Sequence, residues 1–256
     1  MDIQINAIEK RFSIHIEHLS EATSTNDLAA LRHWKHGDVI WAEVQTKGRG
    51  QRGNSWDSNA GENLTFSLVL CPENFRAEDQ FYLSKAVSVG AIEALSGFGL
   101  PAETKWPNDI YVGDRKVAGM LIENDLQGMT ITRSILGIGL NVNQESFDPA
   151  LPNPVSMRGV SGREFDRVDV LEKILERIFY WTGKLKKMRF AEIDEKYQQH
   201  FYRREGVYWF REPEKEPFEA AIEGVRPSGE LILRRLDGSS STYLFKEVEF
   251  IIKKSE

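Results

Sequence analysis

Apolar and polar residues alternate in several short segments of the chain, and longer segments repeat apolar residues at helical spacing. The segments that predict strands are residues 14–19, 39–45, 64–70 and 129–139. Helices are predicted after Ser24, over residues 77–95, and on the apolar face formed by Leu171, Ile174, Leu175 and Ile178. A Gly113-Asp114 turn between two β-prone segments predicts a hairpin. This mixed order with tight turns predicts an α+β fold with helices and a mixed, largely antiparallel sheet.

The pattern changes after residue 204. Short β-prone segments at residues 207–210, 218–225, 230–235 and 243–251 are separated by prolines and glycines. Four or five short strands in so small a region are typical of a small β-barrel or sandwich. We therefore expect two domains, residues 1–204 and residues 205–256.

The 256-residue chain carries a formal net charge of −6 and a single cysteine. An acidic balance disfavours a general nucleic-acid binder, because such domains usually present a basic face. A lone cysteine allows no internal disulfide and is typical of a reducing compartment. The sequence shows neither an apolar signal core near its start nor an apolar run of the roughly 20 residues that cross a bilayer. We expect a soluble cytoplasmic protein that binds neither DNA nor membranes.

One segment is rich in glycine and arginine: residues 48–53 read Gly-Arg-Gly-Gln-Arg-Gly. Glycines let the backbone approach an anion closely, and arginines add fixed positive charge with forked donors. The spacing also fits a dinucleotide-binding fingerprint, but that fold needs a helix to open at the glycines. Here polar, turn-like residues follow, and a strand resumes at Leu64. We interpret the segment as an anion-binding loop between strands, with a purely structural loop as the alternative.

Three further motifs place polar side chains near the ends of predicted elements. Residues 24–26 read Ser-Thr-Asn and either cap a helix or offer hydroxyl and amide groups to a polar ligand. Residues 105–109 read Lys-Trp-Pro-Asn-Asp, an unusually polar mixture for the end of a strand. Lys116 lies among apolar residues on the second arm of the hairpin, where a solvated lysine is the alternative.

The end of the last central strand carries two asparagines, Asn141 and Asn143, which are either ligands or turn formers. The histidines show no zinc-binding spacing. We therefore expect no metal site built from protein side chains alone.

These motifs resemble those of the biotin protein ligases, also called biotin–[acetyl-CoA-carboxylase] ligases. The matching segments, in chain order, are residues 24–26, the glycine loop with Trp56, residues 105–109, residues 116–119 and residues 137–143. The resemblance implies a sheet with helices on one side, similar to class II aminoacyl-tRNA synthetases, followed by a small SH3-like β-barrel. It also implies two steps: biotin and ATP form biotinyl-5′-AMP, and biotin then passes to a lysine of a biotin carboxyl carrier protein domain.

The resemblance assigns roles to individual residues. The implied biotin-binding positions are Ser24, Thr25, Asn26, Gln45, Arg49, Gly50, Gln51, Lys116 and Gly119. The positions implied to face ATP or the adenylate are Arg49, Arg52, Trp56, Lys105, Asn108 and Asn141. The implied catalytic positions are Arg49, Lys105, Asp109 and Lys116, with Asp109 receiving or orienting the acceptor amine. The resemblance further implies ATP with Mg²⁺ as cofactors and biotin as substrate, with a homodimer as one possible assembly.

The chain departs from the resemblance at Gln51, where some family members carry a third arginine. The loss of one loop charge predicts weaker retention of the adenylate. The residues before the matching segments are too few for the winged helix-turn-helix of the repressor forms, so a repressor role is not expected. Two alternatives stay open: a lipoate or octanoate ligase or transferase of the same superfamily, and a non-catalytic biotin-binding regulator.

Overall fold

A computed structural model describes residues 1–31 and 34–252, without the side chain of Arg52. The strands of the larger sheet are β1 (Ile16–Ala22), β2 (Val39–Gln45), β3 (Leu64–Leu70), β4 (Phe75–Arg76), β5 (Ala102–Lys105), β6 (Asp109–Val112), β7 (Arg115–Gln127) and β8 (Thr130–Leu140). The helices are α1 (Asp2–Phe12), α2 (Thr25–Leu31), α3 (Gln80–Gly97), α4 (Met157–Ser161), α5 (Arg167–Lys186) and α6 (Phe190–Gln199). The last strands are β9 (Tyr208–Arg211), β10 (Phe218–Val225), β11 (Leu231–Arg235), β12 (Ser240–Tyr243) and β13 (Glu249–Phe250).

The larger sheet has the strand order β1-β2-β3-β8-β7-β6-β5, with β4 paired to β8. β1 and β2 run parallel and are connected in the chain by α2. The other neighbouring strands pair antiparallel. The predicted α+β fold on a largely antiparallel sheet is therefore confirmed.

The two faces of this sheet carry different helices. Phe66 and Leu68 of β3 belong to the main apolar core, which also contains residues of α3 and α5. Val69, which alternation directs to the other face, packs with Ala29 of α2. Helices thus cover both faces, in contrast to the one-sided arrangement implied by the resemblance, because α2 follows β1 on the opposite side.

The smaller sheet has the order β12-β11-β10-β9-β13. Its edge strands β12 and β13 are not paired with each other in the described residues, so the sheet is open where an SH3-like barrel was expected. The predicted strand over residues 243–251 is also shorter, since only Glu249 and Phe250 pair with β9. The chain between β12 and β13 instead turns at Lys246, whose φ is 74°. This turn carries residues 245–250 toward the larger sheet.

One apolar core includes residues of both sheets. Two polar contacts join them as well: the Trp106 indole N–H donates to Gly229 O at 2.8 Å, and Lys85 Nζ donates to Val225 O at 2.9 Å. In the described residues, no helix combines the length and apolar character needed to span a membrane.

Three helices, α1, α4 and α6, were not predicted, and α4 is only five residues long. In α1 only Ile5 and Ile8 are buried, and in α6 only Ile193 and Tyr197, so neither has an extended apolar face that sequence could reveal. The helix predicted over residues 77–95 begins three residues later, because residues 77–79 form a 3-10 turn.

Candidate active site

A cavity of about 860 Å³ lies against the face of the larger sheet that carries α2. The predicted site residues that line it are Ser24, Thr25, Asn26, Gln45, Arg49, Gly50, Gln51, Trp56, Lys105, Asn108, Asp109, Lys116 and Gly119. The glycine loop and the hairpin motif are far apart in the chain, yet the sheet brings both to the same cavity. A single ligand can therefore contact both.

The start of α2 forms one polar end of the cavity. Ser24 and Thr25 are buried, and Ser24 O accepts the first helical hydrogen bond from Leu28 N at 3.1 Å. Gln45 Oε1, at the end of β2, accepts from Thr25 N at 2.7 Å and from Thr25 Oγ1 at 3.1 Å. The parallel pairing of β1 and β2 brings these groups together, since α2 begins just after β1 and Gln45 ends β2.

Asn26 is buried beside them and is held on three sides. Its Nδ2 donates to Glu123 Oε2 at 2.7 Å and to Leu121 O at 3.3 Å, and its Oδ1 accepts from Ser67 Oγ at 2.6 Å. A Cβ at Gly137 would lie 2.4 Å from that Oδ1, so only glycine leaves room for the amide. Because both amide hydrogens are engaged within the protein, Asn26 shapes this end of the cavity more than it offers donors to a ligand.

Arg49 lines the cavity, but its guanidinium already has partners. It makes two hydrogen bonds to Glu123, at 3.0 and 2.9 Å, and one to Asp27 at 2.7 Å. The bonds to Glu123 raise the pKa of the guanidinium above its ordinary value. The arginine that was expected to face an anion is thus paired with two carboxylates.

The glycine loop folds back on itself. Gly50 N donates to Asn54 O at 2.7 Å, Trp56 N donates to Gly48 O at 3.0 Å, and Arg49 forms a bridge pair with Ser55. A short 3-10 turn over residues 51–53 forms its tip. The loop therefore projects over the cavity as a small hairpin.

At the end of this hairpin, the Trp56 indole lies on the backbone of β8. A Cβ at Gly139 would lie only 2.2 Å from the ring, so the indole occupies space that another residue would fill. Trp56 Nε1 and Gln51 Oε1 are both buried and have no hydrogen-bond partner among the described residues. A buried donor and a buried acceptor without partners are the groups that a polar ligand would satisfy.

The other end of the cavity is formed by the β5–β6–β7 hairpins. Lys105 pairs with Asp109 across one turn, and Asp109 pairs with Gly119 of β7. A register shift between Ile110 and Tyr111 inserts one extra residue into β7. Residues three apart in a regular strand point to opposite faces, but this bulge lets both Lys116 and Gly119 face the cavity.

Lys105 and Lys116 bring two positive charges to this end. Lys116 Nζ lies 2.7 Å from Asp109 Oδ1 and 5.6 Å from the centre of the Trp56 ring. Lys105 Nζ lies 5.1 Å from the Tyr111 ring centre and 4.9 Å from that of Phe250. Burial lowers the pKa of the Lys105 ammonium, Asp109 opposes that shift, and Lys116 adds to it.

Asn108 holds the turn between β5 and β6 against β7 through hydrogen bonds to the backbone of Met120. Its side-chain Nδ2 donates to Met120 O, and its backbone carbonyl accepts from Met120 N at 2.9 Å. Asn108 lines the cavity while its amide hydrogens are directed at β7. It connects the residues 105–109 turn to the strand that carries Gly119.

Some expected site residues lie elsewhere. Asn141 is outside the cavity lining, and its Nδ2 donates to Val155 O at 3.1 Å, as expected for an amide that fixes a loop. Asn143 likewise donates to Phe165 O at 2.9 Å and accepts from Phe165 N at 3.0 Å. The Arg52 side chain lies outside the described part of the structure. Cavity-lining residues that were not predicted include Phe245, Lys246, Val248, Glu249 and Phe250 from the smaller sheet.

The arrangement has a clear chemical polarity. One end offers hydroxyl and amide groups, the middle has a glycine-lined floor covered by an indole, and the far end offers the ammonium groups of Lys105 and Lys116 near the Asp109 carboxylate. In the described residues, no group of three or more histidine, cysteine, aspartate or glutamate side chains is placed to hold a metal ion. Such a cavity can bind a long ligand that is polar at one end and anionic at the other.

Comparison with known proteins extends this description. Residues 18–141 match the model of the Biotin/lipoate A/B protein ligase family. The chain is 32% identical over 170 residues to the Bifunctional ligase/repressor BirA of Bacillus subtilis, covering 63% of this chain and 51% of that protein. It is 29% identical over 201 residues to the Biotin--[acetyl-CoA-carboxylase] ligase of Paracoccus denitrificans, covering 76% and 83% of the two chains.

Solved structures give the same result. The Biotin protein ligase from Aquifex aeolicus in complex with biotin and ATP superposes with a TM-score of 0.78 at 27% identity, over 93% of this chain and 99% of that one. The chain spans about half the length of the Bacillus relatives that it matches. The match to the biotin/lipoate A/B protein ligase family covers residues 18–141, and the Paracoccus and Aquifex proteins are biotin ligases by name. The resemblance drawn from the motifs is thereby confirmed.

Proposed function

We propose that this chain is a biotin protein ligase, which condenses biotin with ATP and then transfers biotin to a lysine of a biotin carboxyl carrier protein domain. The observation that carries the proposal is the two-ended cavity. Hydroxyl and amide groups of Thr25 and Gln45 suit a ureido ring at one end, and Lys105 and Lys116 suit a carboxylate and a phosphate at the other. A buried urea left without partners would cost about 1–3 kcal/mol per group, so such an end must be polar.

In the first step, a biotin carboxylate oxygen attacks the α-phosphorus of ATP. A new oxygen–phosphorus bond forms, and the bond to the pyrophosphate leaving group breaks. Two anions meet in this step, so cations must be held where charge accumulates. Lys105 and Lys116 are placed at the same end of the cavity to do this, and the rings of Tyr111 and Phe250 partly shield Lys105 from water.

The nucleotide is assigned to the region between Trp56, Asn108 and Lys105. Trp56 offers an aromatic face and an unpartnered indole N–H, and Gln51 offers an unpartnered carbonyl. These buried groups fit a purine base with its own donors and acceptors. ATP enters with Mg²⁺, which neutralises part of the triphosphate charge when bound.

In the second step, the acceptor lysine's ε-amine attacks the acyl carbon and AMP leaves. The amine must lose a proton, and the Asp109 carboxylate lies at the cationic end of the cavity, 2.7 Å from Lys116 Nζ. We expect Asp109→Asn to slow transfer from purified adenylate by about 10²-fold. Unchanged transfer by that variant would remove Asp109 from this role.

The proposal extends to organisation and location. Residues 1–204 are assigned to catalysis and residues 205–256 to a smaller β domain that completes the cavity with residues 245–250. A reaction that uses ATP and a carboxylase carrier fits the cytoplasm. A homodimer is compatible with the proposal and is open to measurement by light scattering.

The test measures both steps separately. The protein is first incubated with Mg-ATP and labelled pyrophosphate, with and without biotin, and exchange of label into ATP is counted. A carrier domain is then added and weighed by mass spectrometry. Biotin-dependent exchange and a carrier heavier by one biotinyl group support the proposal.

Other outcomes identify other functions. A carrier modified only when lipoate or octanoate replaces biotin would identify a lipoate or octanoate ligase. Biotin binding without exchange would identify a non-catalytic regulator. Either result would overturn the proposed function.

A further inference from the structure

Glu123 occupies a central position that the reaction itself does not explain. Its carboxylate accepts two hydrogen bonds from Arg49 of the glycine loop, at 3.0 and 2.9 Å, and one from Asn26 of α2 at 2.7 Å. Glu123 therefore joins three segments: the loop, the start of α2 and the strand β7. Bidentate arginine–carboxylate pairs combine strength with fixed geometry.

The Asn26 side of this contact is rigid. The amide is buried, it also bonds Ser67 Oγ and Leu121 O, and it sits against the backbone of Gly137. Glu123 thus has a fixed anchor on the sheet side, so any freedom in the cluster lies on the side of Arg49.

The Arg49 side of the contact is open to water. The side chains of Arg49 and Glu123 are 41% and 37% exposed, so water can replace their contact. In the pair Lys85–Asp194, by contrast, the aspartate is 34% exposed but the lysine only 2%, so water reaches only one of the two partners. Exposed ion pairs contribute little free energy and can open readily.

Movement of Arg49 is transmitted to Trp56. Arg49 and Ser55 are bridge partners in the folded-back loop, and Trp56 N donates to Gly48 O. Releasing Arg49 from Glu123 leaves Asp27 as the remaining carboxylate partner of Arg49, which weakens the hold of the loop and of the indole against Gly139. The cavity would open on that side.

We propose that Glu123 is the latch of the glycine loop: a positioning residue that holds the loop closed over the bound intermediate and releases it for entry and exit of ligands. Asp27 accepts one further hydrogen bond from Arg49 at 2.7 Å. This bond keeps the loop near its closed position when the Arg49–Glu123 contact is broken. The latch is a property of the protein alone, whereas its effect on the intermediate rests on the proposed function.

The test is limited proteolysis of the ligand-free protein with trypsin, with cleavage after Lys47, Arg49 and Arg52 identified by mass. Glu123→Gln keeps the size of the side chain, but its NH₂ group cannot accept from Arg49. We expect cleavage within the loop to be about 10-fold faster, because proteolysis follows the population of the open form. Asp125→Asn is the matched control, since Asp125 lies on the same strand and pairs with Arg133 at 2.6 Å away from the cavity.

Loop cleavage of Glu123→Gln within twofold of wild type would overturn the latch. If the variant is cleaved faster throughout the chain, Arg49→Lys decides the question, since lysine cannot make the bidentate pair. Faster cleavage of Arg49→Lys confined to the loop supports the latch, and an unchanged rate overturns it.

A second readout follows the intermediate. With Mg-ATP and biotin, we expect Glu123→Gln to release about 10-fold more free adenylate per carrier modified, because an open loop lets it escape. Equal release by Glu123→Gln and Asp125→Asn would overturn the role of the latch in retention. A wild-type protein without pyrophosphate exchange would refute the proposed function, and the proteolysis result would still decide separately whether the latch exists.

Discussion

Lys105 and Arg49 line the same cavity and carry the same charge, but the protein holds them in opposite ways. Arg49 is exposed and bonds two carboxylates, Glu123 and Asp27. Lys105 is partly buried against the rings of Tyr111 and Phe250, and no carboxylate of the described residues lies within ion-pair distance of its ammonium. The sequence alone makes the two cations look equivalent.

The difference shows which cation is free to act on a ligand. A guanidinium that already has two carboxylates gains little from a third anion, and moving it disrupts the loop. An ammonium held between aromatic faces is partly desolvated, which lowers its pKa and strengthens its attraction to an incoming anion. We therefore assign chemistry to Lys105 and loop position to Arg49.

The largest expected effect follows from removing Lys105. Lys105→Met deletes the charge while keeping most of the apolar stem, and we expect biotin-dependent pyrophosphate exchange to fall by about 10²–10³-fold, equivalent to about 3–4 kcal/mol. Lys10→Met, on the exposed surface of α1, should leave exchange unchanged. If exchange by Lys105→Met fell no further than exchange by Arg49→Lys, the assignment of chemistry to Lys105 and loop position to Arg49 would be wrong.

A smaller effect is expected at the floor of the cavity. Gly139→Ala places a methyl group in the space of the Trp56 indole, and displacement of the ring should lower kcat/KM by about 30-fold. Gly183→Ala is the control, since nothing lies near a Cβ at that helical position and alanine should stabilise the helix by about 0.5–1 kcal/mol. Full activity together with unchanged indole fluorescence in Gly139→Ala would contradict the assigned role of Trp56.

The pH dependence sharpens the comparison further. Because burial lowers the pKa of Lys105 below its ordinary value of 10.5, exchange should decline on the alkaline side at a pH below that value. The effect of pH on stability has the opposite sign to its effect on exchange. Between the folded and unfolded pKa values the unfolded chain binds more protons, so the contribution of Lys105 to stability rises with pH.

Lys105→Arg tests this assignment, since arginine stays charged over the whole range. The alkaline limb of the exchange profile should move to higher pH in this variant. An identical limb in both proteins would assign the titration to another group.

The smallest effect concerns Gln51. Gln51→Arg adds a charge to the loop, and we expect about threefold less adenylate released into solution, because a further cation near the phosphate adds modest electrostatic attraction. Release is measured by chromatography of free biotinyl-5′-AMP during turnover. Unchanged or greater release would show that charge at this position of the loop does not help to retain the adenylate.

Local chemistry made much of this structure predictable. Strands β2 and β3 have the predicted ends, and the Gly113-Asp114 turn marks the hairpin that brings Lys116 to the site. The glycine loop and the motif at residues 105–109 can also be recognised from their composition, because their polar residues interrupt otherwise apolar strands.

The features that could not be predicted from sequence depend on contacts between residues far apart in the chain. Glu123 looks like a solvated residue on a strand, and only the folded sheet places it opposite Arg49, 74 residues away. The sequence does not separate a turn-forming role of Asn141 from a ligand role, because both need the same amide at a strand end. The turn at Lys246, where φ is 74°, lies inside the segment predicted as one strand over residues 243–251, and its conformation is not evident from the local sequence.

The wall formed by residues 245–250 has a consequence for biosynthesis. Translation proceeds from the N-terminus, so the hydroxyl-rich end and both lysines leave the ribosome well before Phe250 can shield Lys105. The surroundings of the Lys105 ammonium are therefore complete only after the last residues of the smaller sheet have joined the fold.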